Sequence, residues 1–254
     1  VVIKDYFPRR VVLEPDNVIV LGLIVFTVCL VSSGLGVRAA LDTISEACPK
    51  QPVHAVGYCL GGTLLSIGVS ALARPQAVQE AQHIAPIASM SLLAAQLDFH
   101  DAGELGVFLD EAQVSFLEDL MSEKGYLSGK QMANSFEYLR ARDLFWSAHV
   151  REYWLGKPEV PNDLMAWNAD VTRMPAAMHS QYLHAFYLHN ALAEGRYEVE
   201  GEPVSLGDIR APIFAVGTVR DHVTPWMSAY QVMRLTATEV TFVLASGGHN
   251  VGVI

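Results

Sequence analysis

Apolar residues in this chain come in short blocks, and the spacing inside each block predicts a different element. Residues 18–31, "VIVLGLIVFTVCLV", form an unbroken apolar run rich in β-branched side chains. It spans 14 residues, short of the roughly 18 or more that a membrane span needs. The run predicts one buried parallel strand, because both faces of such a strand are covered. "SSGLG" breaks the pattern, and "VRAALDTISEAC", residues 37–48, changes the period. Val37, Ala40, Leu41 and Ile44 fall on one face of a helix that Pro49 and Pro52 end.

The alternation continues. "VHAVGYC" predicts a strand, "LGGTLLSIGVSALAR" a helix opening on two glycines, and the start of "IASMSLLAAQLDF" a further strand. "APIFAVGTVRDH" and "EVTFVLASGGH" predict two late strands, with a helix carrying Tyr230, Met233 and Leu235 between them. Strands alternating with helices predict an α/β fold, a mostly parallel sheet with helices on both faces. Residues 100–190 depart from this rhythm. They are rich in aromatics at helical spacing and predict a helical cap inserted into a single domain over 1–254. In parallel sheets, reactive groups collect at the carboxyl ends of the strands. Cys59, Asp221 and His249 occupy three such ends.

Gly57-Tyr58-Cys59-Leu60-Gly61, with Gly62 next, is a G-x-C-x-G turn. A sharp strand-to-helix turn strains the central residue, and flanking glycines remove clashing side chains. The turn lifts the sulfur to a helix N-terminus, where thiolate is favoured and the Leu60 N–H faces a developing oxyanion. Asp221 and His249 follow in the order nucleophile, acid, histidine that α/β-hydrolase folds use. Asp221 lies 162 positions after Cys59, which leaves room for the insertion, and His249 lies 28 positions after Asp221, which fits one helix and one strand.

Composition narrows the chemistry. The net charge of −10 provides no basic excess to neutralise nucleic-acid phosphates. Three cysteines, Cys29, Cys48 and Cys59, form neither a CxxC nor an even disulfide set, which points to a reducing compartment. No secretory signal is evident at the start. His179, His184 and His189 recur every five residues. On an α-helix that is about 140° per step, so the spacing predicts no shared face and no metal site. Neither a G-x-G-x-x-G after a strand nor a Walker A motif is present, so no nucleotide cofactor is expected.

"GYCLGGTLL" resembles the lipase-like box of the polyhydroxyalkanoate synthases, in which cysteine replaces serine. "SLLAAQLDFHDAGELGVFLDE", "LRARDLFWSAHVREYWLGKPEVPNDLMAWNADVTRMPAAMHSQYL", "VRDHVTPWMSAY" and "FVLASGGHNVGVI" resemble further segments of that family in the family's order, over residues 50–254. The resemblance implies an α/β-hydrolase-like catalytic domain that polymerises (R)-3-hydroxyacyl-CoA and releases CoA, the thioester being substrate and no cofactor being needed. Cys59 would carry the acyl chain, His249 would act as general base, and Asp221 would orient His249 and help activate the 3-hydroxyl. Trp167 and His222 match family positions near the pocket. A homodimer, cytoplasmic and bound to polymer granules, is what the family implies. Relative to that family the chain is expected to be shortened at both ends, with a second oxyanion donor sought in an early strand–helix loop. Two other functions fit the same residues: a cysteine-dependent thioesterase or ester hydrolase, and an inactive granule-binding subunit.

Overall fold

The computed structural model describes residues 20–22, 33–74, 86–129, 131, 150–157, 163 and 173–249. At its centre lies a five-stranded sheet in the order β1-β2-β3-β8-β9. These strands are β1 (Val20–Gly22), β2 (Val53–Tyr58), β3 (Ile87–Leu93), β8 (Ile213–Thr218) and β9 (Val240–Ala245). Every neighbouring pair is parallel. The expected α/β architecture is therefore present, and β1 lies within the long apolar run.

α1 (Ser33–Ala47) begins four residues before the expected helix, taking in most of the "SSGLG" break. Val37, Leu41 and Ile44 are buried along its inner stripe, while Ala40 is half-buried. α2 (Leu60–Leu72) is apolar on nearly all sides, and residues Gly62 to Ala71 are all buried. A helix hydrophobic all round must lie inside the molecule. Gly68 makes that possible, because a Cβ there would lie 2.7 Å from Val37 Cβ. The missing side chain lets α1 and α2 meet closely.

Between β3 and β8 the chain forms a 3₁₀ turn (Gly103–Phe108), α3 (Glu111–Ser122), β4 (Tyr126–Leu127), a π-helical turn (Val150–Trp154), β5 (Met174–Pro175) and α4 (Ala176–Tyr182). A second π-helical stretch, Leu183–Leu188, extends α4. β4 and β5 pair antiparallel, a small sheet that the helical reading of this segment did not include. β6 (Glu198–Val199) and β7 (Glu202–Pro203) form another antiparallel pair. The expected helix between the late strands is two short ones, α5 (Trp226–Tyr230) and α6 (Val232–Leu235). The main core runs from α2 through β3 and β8 to Phe186, Leu192 and Tyr197. Among the described residues no helix is long and apolar enough to cross a membrane.

Candidate active site at the ends of the central strands

β2 ends at Tyr58 and α2 begins at Leu60, so the whole reversal rests on Cys59. Its φ of 51° and ψ of −126° lie in a region that side-chain-bearing residues rarely adopt. The surroundings hold it there. Cys59 N–H donates to Leu93 O at 2.9 Å, and Gly62 N–H donates to Cys59 O at 2.9 Å. A Cβ on Gly57 would lie 2.4 Å from Gly62 Cα, and one on Gly62 would lie 2.4 Å from Ala95 Cβ. These glycines are thus required by space: strand, helix and the loop after β3 converge beneath the thiol. Thr63 Oγ1 secures the same junction by donating to Gln96 O at 2.7 Å. Leu60, as the first residue of α2, has an N–H with no intrahelical acceptor, the position an oxyanion donor needs.

β8 and β9 bring the other two residues to the same edge. Beyond β8 the ladder continues, with Val219 N–H donating to Ala245 O and Arg220 N–H to Gly247 O. Asp221 and His249 stand just past those bonds. Asp221 Oδ1 accepts from the N–H groups of Val223 and Thr224 at 2.9 and 2.8 Å. His249 Nδ1 donates to Asp221 Oδ2 at 2.7 Å. The Asp221 side chain has no exposed surface, and that of His249 is 14% exposed. With Nδ1 engaged, the other imidazole nitrogen is left for Cys59. Burial by itself lowers the His249 pKa. The hydrogen bonds to Asp221 and Cys59, and the negative charge of both, outweigh burial and raise it to about 10.

Tyr58, adjacent to the thiol, backs this arrangement. Its ring lies 5.3 Å from that of His249, and its hydroxyl donates to His249 O at 3.3 Å. Burial first, and the charges of Cys59 and Asp221 after it, push its phenol far above the ordinary tyrosine range. Phe99, Tyr182, Phe186 and Tyr187 form an aromatic cluster with ring centroids 5.0–6.1 Å apart around Phe99. Tyr182 hydroxyl donates to Tyr187 hydroxyl at 3.2 Å. Burial, and with it the Cys59 charge, raises both phenols, Tyr187 to about 12. The cluster is therefore close enough to the sulfur to feel its charge.

The structure joins Asp221 to His249 by a hydrogen bond and places Cys59 and Leu60 at the turn between β2 and α2. His222 is half-buried, and its carbonyl accepts from Glu104 N–H at 3.2 Å, tying the 3₁₀ turn to the Asp221 loop. Trp167 lies outside the described residues, as does the early segment, residues 1–19, where a second oxyanion donor was sought. Tyr58 and the aromatic cluster are the residues that spacing alone did not single out. The aromatics of "YLHAFYLHN" were the available signal, but they read equally well as ordinary packing.

The histidine spacing needs correction. His189 N–H donates to His184 O at 3.1 Å, a five-residue step. A π-helical turn closes on an i→i+5 hydrogen bond and so brings residues five apart much closer around the axis than an α-helix does. His184 and His189 therefore share a face, with ring centroids 6.4 Å apart, while His179 is buried elsewhere and burial lowers its pKa to about 4.

Comparison with known proteins agrees with this architecture. The profile of the alpha/beta hydrolase fold family matches residues 35–253. The poly(3-hydroxyalkanoate) polymerase subunit PhaC of Rhizobium meliloti is 42% identical over 219 residues, covering 86% of this chain and 35% of the relative. The poly(3-hydroxyalkanoate) polymerase of Methylorubrum extorquens is 42% identical over 219 residues, with the same shares of each chain. The corresponding PhaC subunit of Cupriavidus necator is 36% identical over 221 residues, covering 85% of this chain and 36% of that one. The chain spans about a third of the length of these relatives.

Proposed function

The chain belongs to the alpha/beta hydrolase fold family, and we propose that within it this protein is an acyltransferase that polymerises (R)-3-hydroxyacyl-CoA into polyhydroxyalkanoate. The observation that carries the reading is the hydrogen-bonded Asp221–His249 pair facing a cysteine held at a positive φ. Similarity to named poly(3-hydroxyalkanoate) polymerases supports the substrate class.

In this reading His249 takes the Cys59 proton, and the thiolate attacks the acyl-CoA carbonyl. The oxyanion forms near the Leu60 N–H. CoA leaves as its thiolate and receives the proton from the His249 imidazolium, so charge balances and Cys59 carries the acyl group. The 3-hydroxyl of an acyl group then gives its proton to His249 and attacks a thioester carbonyl. An ester bond forms as the thiolate departs and is reprotonated. Asp221 accepts from two N–H groups and His249 and has no exposed side-chain surface. Both proton transfers are therefore assigned to His249, with Asp221 orienting it and raising its basicity.

Thioester exchange with CoA is nearly balanced in energy, which suits a thiol nucleophile. Water competes with the hydroxyl, so the site must exclude it. We assign that task to segment 100–190 as a cap, supported by the aromatic cluster of Phe99, Tyr182, Phe186 and Tyr187 near Cys59. Dimerisation and attachment to granules belong to the same proposal.

Incubation with (R)-3-hydroxybutyryl-CoA tests it. Released CoA together with precipitable polyester is expected. Free 3-hydroxybutyrate without polymer would instead make the protein a thioesterase. Cys59→Ala removes the acyl-enzyme and lowers turnover at least about 10³-fold, whereas Cys48→Ala, at the end of α1, retains both. Normal turnover by Cys59→Ala would overturn the mechanism.

A further inference from the structure

Away from Cys59, α3 and the π-helical stretch after α4 bring together side chains of a different character. Glu111 and Glu118 lie on α3, and His184 and His189 lie on the π turn and its end. His184 Nε2 is 3.1 Å from Glu118 Oε1, and His184 Nδ1 is 3.9 Å from Glu111 Oε2. Ser180 hydroxyl also donates to Glu118. A neutral His184 that donates Nε2–H to Glu118 keeps its lone pair at Nδ1, on the side of Glu111. A carboxylate fixing the far nitrogen of an imidazole is how proteins orient metal-ligating histidines.

One donor atom from each of Glu111, His184 and His189 lies within 4.8 Å of the other two. In a tetrahedral site, ligand atoms about 2.1 Å from the ion are about 3.4 Å apart. The donor atoms, within 4.8 Å of one another, must therefore draw together by up to about 1.4 Å, and the exposed side chains of Glu111 and His189 can supply this by rotation. Two imidazoles and one carboxylate suit Zn²⁺, whereas Mg²⁺ and Ca²⁺ prefer oxygen donors throughout. His184 and His189 also line a cleft of about 360 Å³ that includes Gln181, Arg196 and Tyr197, which leaves solvent access to a fourth coordination position. We propose that Glu111, His184 and His189 form a zinc site, oriented by Glu118, that clamps α3 to the π turn. That turn carries Phe186 and Tyr187 of the aromatic cluster near Cys59, so the ion would stiffen one wall of the candidate active site.

Zinc titration of the full chain against a chromophoric indicator tests this, in a background with Cys29, Cys48 and Cys59 all replaced by Ser, which removes the competing thiols. One Zn²⁺ per chain is expected. Affinity should fall at least tenfold in His189→Ala and in Glu111→Gln, and about 10–100-fold in Glu118→Gln. His189 is exposed, so its removal leaves the fold intact. Zn²⁺ should raise the melting temperature of the parent but not that of His189→Ala, and Co²⁺ should show the visible absorption of a site with nitrogen and oxygen ligands. Absence of saturable zinc binding, or equal affinity in His189→Ala, would show only a surface cluster of ion pairs and overturn the proposal.

Discussion

Cys59 combines strain with lack of space, and both effects can be tested one residue at a time. A methyl group on Gly62 would meet Ala95 Cβ at 2.4 Å, so either the turn or the loop after β3 must shift. Gly62→Ala is expected to cost about 1–3 kcal/mol in denaturant unfolding and to slow alkylation of the thiol by displacing it from His249. Unchanged alkylation would mean that the turn absorbs the methyl without moving the sulfur. His249 gives a pH prediction. Its folded-state pKa of about 10 lies above the ordinary value of about 6.5. The folded state therefore holds the proton more tightly. The stabilisation is fully present below pH 6.5 and is lost as pH rises through 10. Within that window stability should fall by up to about 1.4 kcal/mol per pH unit. Asp221→Asn removes the main partner, so its stability profile should be flatter, which denaturant titration at pH 6.5 and pH 10 can measure.

Helix packing adds a test of its own. Gly68 faces the branched carbons of Val37 at 2.7–2.9 Å from where its Cβ would lie. Val37 is stiff at χ1 and cannot swing aside. Gly68→Ala should therefore destabilise by about 1–3 kcal/mol, and adding Val37→Ala should restore most of the loss, a coupling that a double-mutant cycle reads directly. Additive effects would show that α1 and α2 do not meet there. The inner stripe of α1 was legible in the sequence because a one-sided helix repeats its apolar residues at 3.6. The start of α1 was not, since the glycines of "SSGLG" look like helix breakers. The Cys59 turn and the Asp221–His249 pair were legible because strand-end turns have local chemistry and a characteristic order. Tyr58 against His249 was not, because only the fold brings residue 249 back to residue 58. The histidine pair was hidden for another reason: a π turn changes the period, and any pattern test built on 3.6 separates residues that the fold brings within 6.4 Å.

At the scale of the whole molecule, the proposed polymerase activity raises the question of how a hydrolase-like fold would favour transfer to a hydroxyl over transfer to water. The two ends of segment 100–190 are tied by hydrogen bonds to the loop after β3 and to α5. Asp101 O accepts from Gln96 Nε2 at 2.9 Å and from Ser228 Oγ at 2.7 Å. At the other end, Asn190 Nδ2 donates to Asp98 Oδ1, and Asn190 Oδ1 accepts from Phe99 N–H, each at 2.9 Å. Asn190 has a φ of 46°, which asparagine tolerates better than most residues. Asn190→Ala removes both bonds and strains the backbone, so a loss of about 2–4 kcal/mol is expected. Phe99 and its aromatic neighbours would then loosen beside Cys59. If this segment keeps water out, the variant should retain acyl-enzyme formation while the ratio of free hydroxy acid to polymer rises several-fold. Chromatography of the products from (R)-3-hydroxybutyryl-CoA measures that ratio. A variant that loses stability but keeps the parent ratio would place the water barrier elsewhere and leave the aromatic cluster a purely structural role.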